Sequence, residues 1–122
     1  MLQAEIFSIF RKYSTAKISA YLADKNIRAK MYVRQGAQWM SVRFVWHDKE
    51  LTLGISLHHL DYADGINVQL KSRFGRHDLR NEVRKYSSGE IPTYGCNAAE
   101  MNAQFDRIVT DIKLYFEKYM LV

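Results

Sequence analysis

The chain has 122 residues, of which 48% are hydrophobic and 25% are charged, and its formal net charge is +5. This composition excludes a disordered chain, and the length predicts a single domain over residues 1–122. The single cysteine, Cys96, excludes an intrachain disulfide and a cysteine-rich zinc site, and it favours a reducing, cytoplasmic location. No apolar run reaches the roughly 18 residues that cross a bilayer, so we expect no membrane contact.

The first predicted element is a helix over residues 2–23, which ends at the polar segment 24–26. Ile18 and Leu22 leave the apolar stripe of a straight helix. They therefore predict either a kink at Ser14 and Thr15 or a second short helix that Ser14 caps. The stripe itself consists of Leu2, Ile6, Ile9, Phe10 and Tyr13.

Four segments then alternate apolar and polar residues, which is the pattern of half-buried β-strands. Short turn signals separate the first three strands, and the hairpin dipeptide Asp64-Gly65 precedes the fourth. Strands joined in this way predict an antiparallel meander with one face exposed to solvent. The predicted strands cover residues 27–34, 38–46, 51–58 and 66–71.

The last third of the chain predicts a short helix over residues 77–86, an ordered loop over 87–96 and a long C-terminal helix. The loop prediction depends on the only proline and two glycines in that segment. Asn97 and Glu100 resemble an N-cap and its capping box, and apolar residues follow at helical spacing from Met101 to Tyr119. The predicted fold class is α+β, with a four-stranded antiparallel meander sheet and with N-terminal and C-terminal helices packed on one of its faces.

No sequence motif indicates catalysis, a cofactor or a metal site. The four histidines lack metal-ligand spacing, and adjacent His58 and His59 on a strand must point to opposite faces. Phosphate-binding glycine loops and a nucleophile elbow are also absent. A small nuclease that uses His58 or His77 with Arg43 and Tyr32 is the enzyme alternative, but the sequence favours a protein without catalytic activity.

Basic and aromatic residues are concentrated on the polar side of the predicted strands. The charge continues into the segment from Lys71 to Lys85, where four arginines would share one face of the predicted short helix. A merely solvated charged surface is the alternative to a binding site. The predicted binding residues are Arg28, Lys30, Tyr32, Arg34, Trp39, Arg43, Lys71, Arg73, Arg76, Arg80 and Arg84, and the same face would also display His58, Asn67 and Gln69.

Two kinds of anionic partner suit such a face. An acidic protein is the favoured one, because tyrosine, tryptophan and arginine are enriched at binding hot spots and complementary charge adds specificity. An inhibitor or a toxin-immunity protein would use its surface in this way. Single-stranded RNA or DNA is the alternative, with bases stacked on Tyr32 and Trp39 and phosphates held by the cations. The sequence does not determine the oligomeric state.

Overall fold

The computed structural model describes residues 3–47, 49–59, 66–78, 83–97 and 100–119. The chain begins with helix α1, continues through one π-helical turn into the short helix α2, and then forms five strands before the last helix, α3. The element bounds are α1 Gln3–Ser14, the π-helical turn Thr15–Ser19, α2 Ala20–Asp24, β1 Lys30–Gln35, β2 Trp39–Trp46, β3 Lys49–His59, β4 Ile66–Asp78, β5 Val83–Asn97 and α3 Met101–Tyr119.

The π-helical turn explains why the apolar stripe of the first helix changes direction. Its wider turn returns Ile18 and Leu22 to the core side, and both side chains are fully buried. The irregularity predicted at Ser14 and Thr15 is therefore present. Ser14 does not cap a second helix, because its hydroxyl donates to the Phe10 carbonyl at 2.7 Å and its backbone stays helical.

The first helical unit ends as predicted at the polar segment 24–26. Asn26 adopts the left-handed conformation, with φ of 59°. The Asn26 amide donates to the Ala23 carbonyl and the Ile27 amide donates to the Leu22 carbonyl, both at 2.9 Å. These two bonds form a Schellman motif, which turns the chain directly into β1.

All five strands form one antiparallel sheet in the order β1-β2-β3-β4-β5. The α+β class, the antiparallel meander and the flanking N-terminal and C-terminal helices are thus confirmed. The sheet has one strand more than predicted, because β5 was not recognised. Strands β1 and β2 begin later than predicted, at Lys30 and Trp39. Strand β3 extends beyond both of its predicted ends, and β4 continues to Asp78.

The short helix predicted over residues 77–86 and the loop predicted over 87–96 are both wrong where the structure describes them. Residues 77–78 belong to β4, and residues 83–97 form β5. The register slips twice along this pair, between Leu70 and Ser72 and between Arg73 and Gly75. Pro92 lies at the first slip, so the residue without an amide hydrogen is placed at a β-bulge in an edge strand, where a proline is tolerated.

The core lies between the sheet and the helices. Helix α3 begins at Met101, and Asn97 is the last residue of β5 rather than the helix cap. The Phe105 ring packs edge-on against Phe10 and Tyr13 of α1, with centroids 5.6 and 4.4 Å apart. The buried side chains of α3 are Met101, Phe105, Ile108, Val109, Ile112 and Phe116, all of which belong to the predicted apolar surface of this helix.

Phe116 is the point where α3, the sheet and the N-terminal helices meet. Its ring lies 5.3 Å from the ring of Tyr21, 6.1 Å from that of Trp46 and 6.3 Å from that of Phe74. Burial raises the pKa of the Tyr21 hydroxyl above its ordinary value, and the nearby Glu117 carboxylate raises it further. The tyrosine is therefore neutral at physiological pH.

Within the described ranges, no helix is both long enough and apolar enough to pass through a lipid bilayer.

Candidate functional site

The sheet has one face covered by helices and one face that carries charged and polar side chains. Met40, Val42 and Phe44 of β2 point to the helices and are buried, whereas the residues between them point to the opposite side. We call this opposite side the outer face. Its described residues include Lys30, Tyr32, Arg34, Trp39, Ser41, Arg43, Val45, Glu50, Thr52, Gly54, Ser56, Gln69, Lys71 and Arg73.

Most of the predicted binding residues share this face. The strand register places Lys30, Tyr32 and Arg34 of β1 beside β2, with Tyr32 directly opposite Arg43. Lys71 and Arg73 lie two strands further along the sheet, opposite Gly54 and Thr52. The set predicted from sequence alternation is therefore brought together in space across four strands.

The remaining predicted residues are placed differently. Arg28 is exposed just before β1 and lines a second concavity of about 460 Å³ on the same side. Arg76 lies in β4 and Arg84 in β5, so the helical arginine face predicted for residues 73–84 is wrong. Arg80 lies outside the described residues. His58 is exposed near the end of β3.

A groove of about 430 Å³ runs across the middle of the outer face. It exists because Gly54 has no side chain, and because Ser41 across the strand pair and Thr52 on the same strand have small ones. One cross-strand row contains, in order, Arg34, Ser41, Gly54 and Lys71. Three strand spacings separate the backbone positions at the ends of this row by about 14 Å. The Lys71 side chain extends back over Gly54, so its stem lies along the small-residue floor. We call this feature the outer groove, and its walls and floor include Arg34, Trp39, Ser41, Arg43, Thr52, Gly54, Ser56, Lys71 and Arg73.

Arg43 is held in place from both sides of β2. Its guanidinium lies 5.0 Å from the ring centroid of Tyr32 on β1. On β3, Glu50 is fully buried, and one of its carboxylate oxygens is 3.7 Å from the Arg43 guanidinium. The ring face and an ion pair with a buried carboxylate therefore hold this cation beside the groove. Arg34 and Lys71 form no ion pair with another described residue.

Trp39 closes one end of the outer groove and remains 43% exposed. Its indole lies against the backbone of Gly36 in the turn between β1 and β2. A Cβ atom at residue 36 would approach the Trp39 Nε1 atom to 2.0 Å, so this arrangement requires glycine. The contact holds a large aromatic side chain at the rim while leaving much of its surface free.

The Gly36→Ala variant is expected to displace the Trp39 side chain. The added methyl group cannot occupy the space of the indole, and the overlap should cost about 1–3 kcal/mol of the free energy of unfolding. The shift of the assigned indole N–H signal in an NMR spectrum and a urea unfolding curve measure these two effects. Gly54→Ala is the control, since its Cβ would meet the flexible Lys71 side chain at 3.1 Å, which can move. An unchanged Trp39 signal in Gly36→Ala would contradict the proposed contact.

Three residues on which the outer groove depends are not predicted from the sequence. Gly54 interrupts the strand pattern of β3, and an isolated glycine in a strand is a signal of close approach or of space for a ligand. Glu50 precedes the predicted strand, so it was not placed on the outer face. The sequence predicts only a turn at Gly36, because its contact with Trp39 depends on the position of the Trp39 side chain.

The structure thus defines a class: an α+β protein with a five-stranded antiparallel sheet, one face under helices and the other forming a cationic groove. Comparison with protein-family models, with curated protein sequences and with solved structures found no match at the level of significance applied.

Proposed function

We propose that this protein binds an acidic partner protein through the outer face, with an acidic side chain of the partner seated in the outer groove. The observation that carries the proposal is the concentration of four cationic side chains around a floor of small residues. Across β1 to β4, Glu50 is the acidic residue of the outer face, and it is fully buried. Such a groove attracts a carboxylate by long-range charge and admits it by shape.

The engagement of Tyr32 favours a protein over a nucleic acid. The guanidinium of Arg43 lies over the Tyr32 ring, so this ring is already stacked by a side chain. Trp39 likewise has Gly36 against its indole. Pre-positioned tyrosine, tryptophan and arginine side chains around a pocket are the features of a protein-binding hot spot. The protein would then act by occupying its partner's surface, as an inhibitor or a toxin-immunity protein does.

Single-stranded nucleic acid is the second candidate ligand. The observation that favours it is the exposure of Tyr32 and Trp39, each at 43%, beside cations on one sheet face. Bases stacked on exposed aromatic side chains contribute about 1–3 kcal/mol each. The affinity would then decrease steeply with salt concentration, because phosphate contacts release counterions.

Photocrosslinking from the groove distinguishes the two ligands. A benzoylphenylalanine at Ser56 lines the outer groove, and one at Leu114, which is 67% exposed on α3, serves as the control position. We expect a protein adduct from residue 56 and not from residue 114, resistant to ribonuclease and formed with a protein that has an acidic surface. An adduct that ribonuclease removes would assign the face to RNA. Equal adducts from both positions would refute a binding role for the groove.

Filling the groove without changing its charge is a separate prediction. The Gly54→Val variant places a branched side chain on the groove floor, and we expect about a tenfold lower yield of the protein adduct from residue 56 at limiting concentration. The cations remain, so binding that depends on charge alone would persist. Charge-dependent binding is measured by fluorescence anisotropy, in which a labelled ten-nucleotide oligouridine is titrated with the unmodified protein and with the Gly54→Val variant. A variant that retains full adduct formation would show that the groove does not receive the partner.

A further inference from the structure

Strand β1 forms an edge of the sheet that no described element covers. It pairs with β2 on one side only. Five of its six residues are exposed, and Val33 alone is partly buried against the core. Proline residues and β-bulges commonly protect an edge strand from pairing with another chain. Strand β1 contains no proline and pairs with β2 without a register slip, so it has neither protection.

The backbone groups that face the open edge can be assigned from the hairpin register. The Gly36 amide donates to the Trp39 carbonyl at 2.9 Å, which makes these residues a hydrogen-bonded pair. Bonded and non-bonded pairs alternate along an antiparallel ladder. Alternate residues from Gly36 backwards therefore bond to β2. The residues that direct their N–H and C=O groups to the open edge are Met31, Val33 and Gln35.

A groove lies between this open edge and the first helix. The Gln3 side-chain amide donates to the Ala37 carbonyl, and the Thr15 hydroxyl lies 3.4 Å from the Met31 sulfur. The first helical unit therefore lies beside β1 at Thr15 and beside the turn that follows β1 at Gln3. Between them is a concavity of about 540 Å³ that is open to solvent. We call it the edge groove, and it is lined by Ser8, Arg11, Lys12, Thr15, Ala16 and Met31.

The charges beside the edge indicate what can bind there. Arg11 and Lys12 are exposed on the helix side, and Lys30 and Arg34 are exposed on the outer-face side. A second copy of the chain would bring like charges together along the same edge, which opposes self-association. An acidic extended segment instead meets cations on both sides and apolar atoms of Met31 and Ala16 in the groove.

We propose that an extended acidic segment of a partner protein adds to β1 as a sixth strand. Its backbone bonds to the three outward-facing residues of β1, and its alternate side chains enter the edge groove and project beside Lys30 and Arg34. Addition of a strand at a sheet edge beside a flanking helix is an established mode of peptide recognition. This surface shares Arg34 with the outer groove but is otherwise different from it, and the inference holds whether or not a partner occupies that groove.

The probe is a fluorescein-labelled ten-residue peptide of alternating glutamate and valine, measured by fluorescence anisotropy. We expect saturable binding together with slower hydrogen exchange of the Met31, Val33 and Gln35 amides in NMR spectra. The peptide with lysine in place of glutamate should not bind. Binding without protection of these amides, equal binding of the lysine peptide, or protection of the same amides by a ten-nucleotide oligouridine would each overturn the proposal.

A matched pair of variants isolates the backbone contact. Val33→Pro and Val33→Ala both shorten the side chain, but only proline removes the outward N–H, and β2 does not use that group. We expect Val33→Pro to bind the peptide at least tenfold more weakly than Val33→Ala. Equal affinities would refute strand addition. The Gly54→Val variant should bind the peptide as the unmodified protein does, which separates this result from the outer groove.

A second pair of variants keeps the test valid if Val33→Pro does not fold. Ala16→Glu places a negative charge in the edge groove at an exposed helical position, and Ala20→Glu makes the same change at an exposed position outside it. Only the Ala16→Glu variant should bind the glutamate-containing peptide more weakly than the unmodified protein does, by about tenfold. Equal affinities of these two variants would contradict the placement of the segment in the edge groove.

Discussion

Reversing the charges on both walls of the outer groove is expected to weaken partner binding about 100-fold. The variant is Arg34→Glu with Lys71→Glu, two residues of one cross-strand row that form no ion pair with another described residue. Each change removes an attractive charge and adds a repulsive one opposite the acidic side chain of the partner. Titration calorimetry with the partner identified by crosslinking measures the dissociation constant.

The matched control reverses two lysines on the helical side of the molecule. Lys17→Glu with Lys113→Glu changes the net charge equally, but these exposed lysines lie near the rings of Tyr13 and Tyr21. We expect only a small loss of affinity, from weaker long-range attraction that salt removes. Similar losses for the two double variants would show that total charge, rather than the outer groove, determines binding.

Removal of the Phe116 side chain is expected to lower the free energy of unfolding by about 3–5 kcal/mol. The ring is fully buried and contacts aromatic rings of α2, β2 and β4. The Phe116→Ala variant leaves a cavity where these layers meet, and the surrounding rings cannot fully collapse into it. Urea unfolding followed by circular dichroism measures the change.

Leu114→Ala provides the comparison on the same helix. Leu114 is 67% exposed, so its truncation should change the free energy of unfolding by no more than about 0.5 kcal/mol. If the two variants had the same urea midpoint of unfolding, the ring contacts of Phe116 would not be the main stabilising contacts of α3. A stable Leu114 variant also confirms residue 114 as a neutral control position for crosslinking.

The two faces of the sheet could be predicted because strand alternation is a local property. Once Val42 and Phe44 are assigned to the core, Arg43 must point away from it. Alternation also assigns Lys30, Tyr32 and Arg34 to the outer face, where the register places them. A register error of one residue would have exchanged the faces, and the long apolar alternation in β2 and β3 prevents that error.

Strand β5 could not be predicted because its pairing depends on β4 rather than on its own residues. Pro92 and Gly89 indicate a loop when they are considered locally. In the structure they belong to a strand whose register with β4 slips on either side of Ile91, and the bulges accommodate residues that a regular ladder would exclude. The spacing of apolar residues in segment 77–86 fits a helix equally well, and the β4–β5 ladder outweighs that local preference.

The sequence by itself determined the fold class, the presence of the N-terminal and C-terminal helices, the core side of each of the first four strands and the cationic character of the outer face. These features follow from residue periodicity and charge. The tertiary structure alone decided that β5 completes the sheet and that Gly54 lies between Arg34 and Lys71. It also decided that Glu50 orients Arg43 and that the edge of β1 is open beside α1. These features depend on which residues meet across strands distant in sequence, and no local pattern of the chain encodes that register.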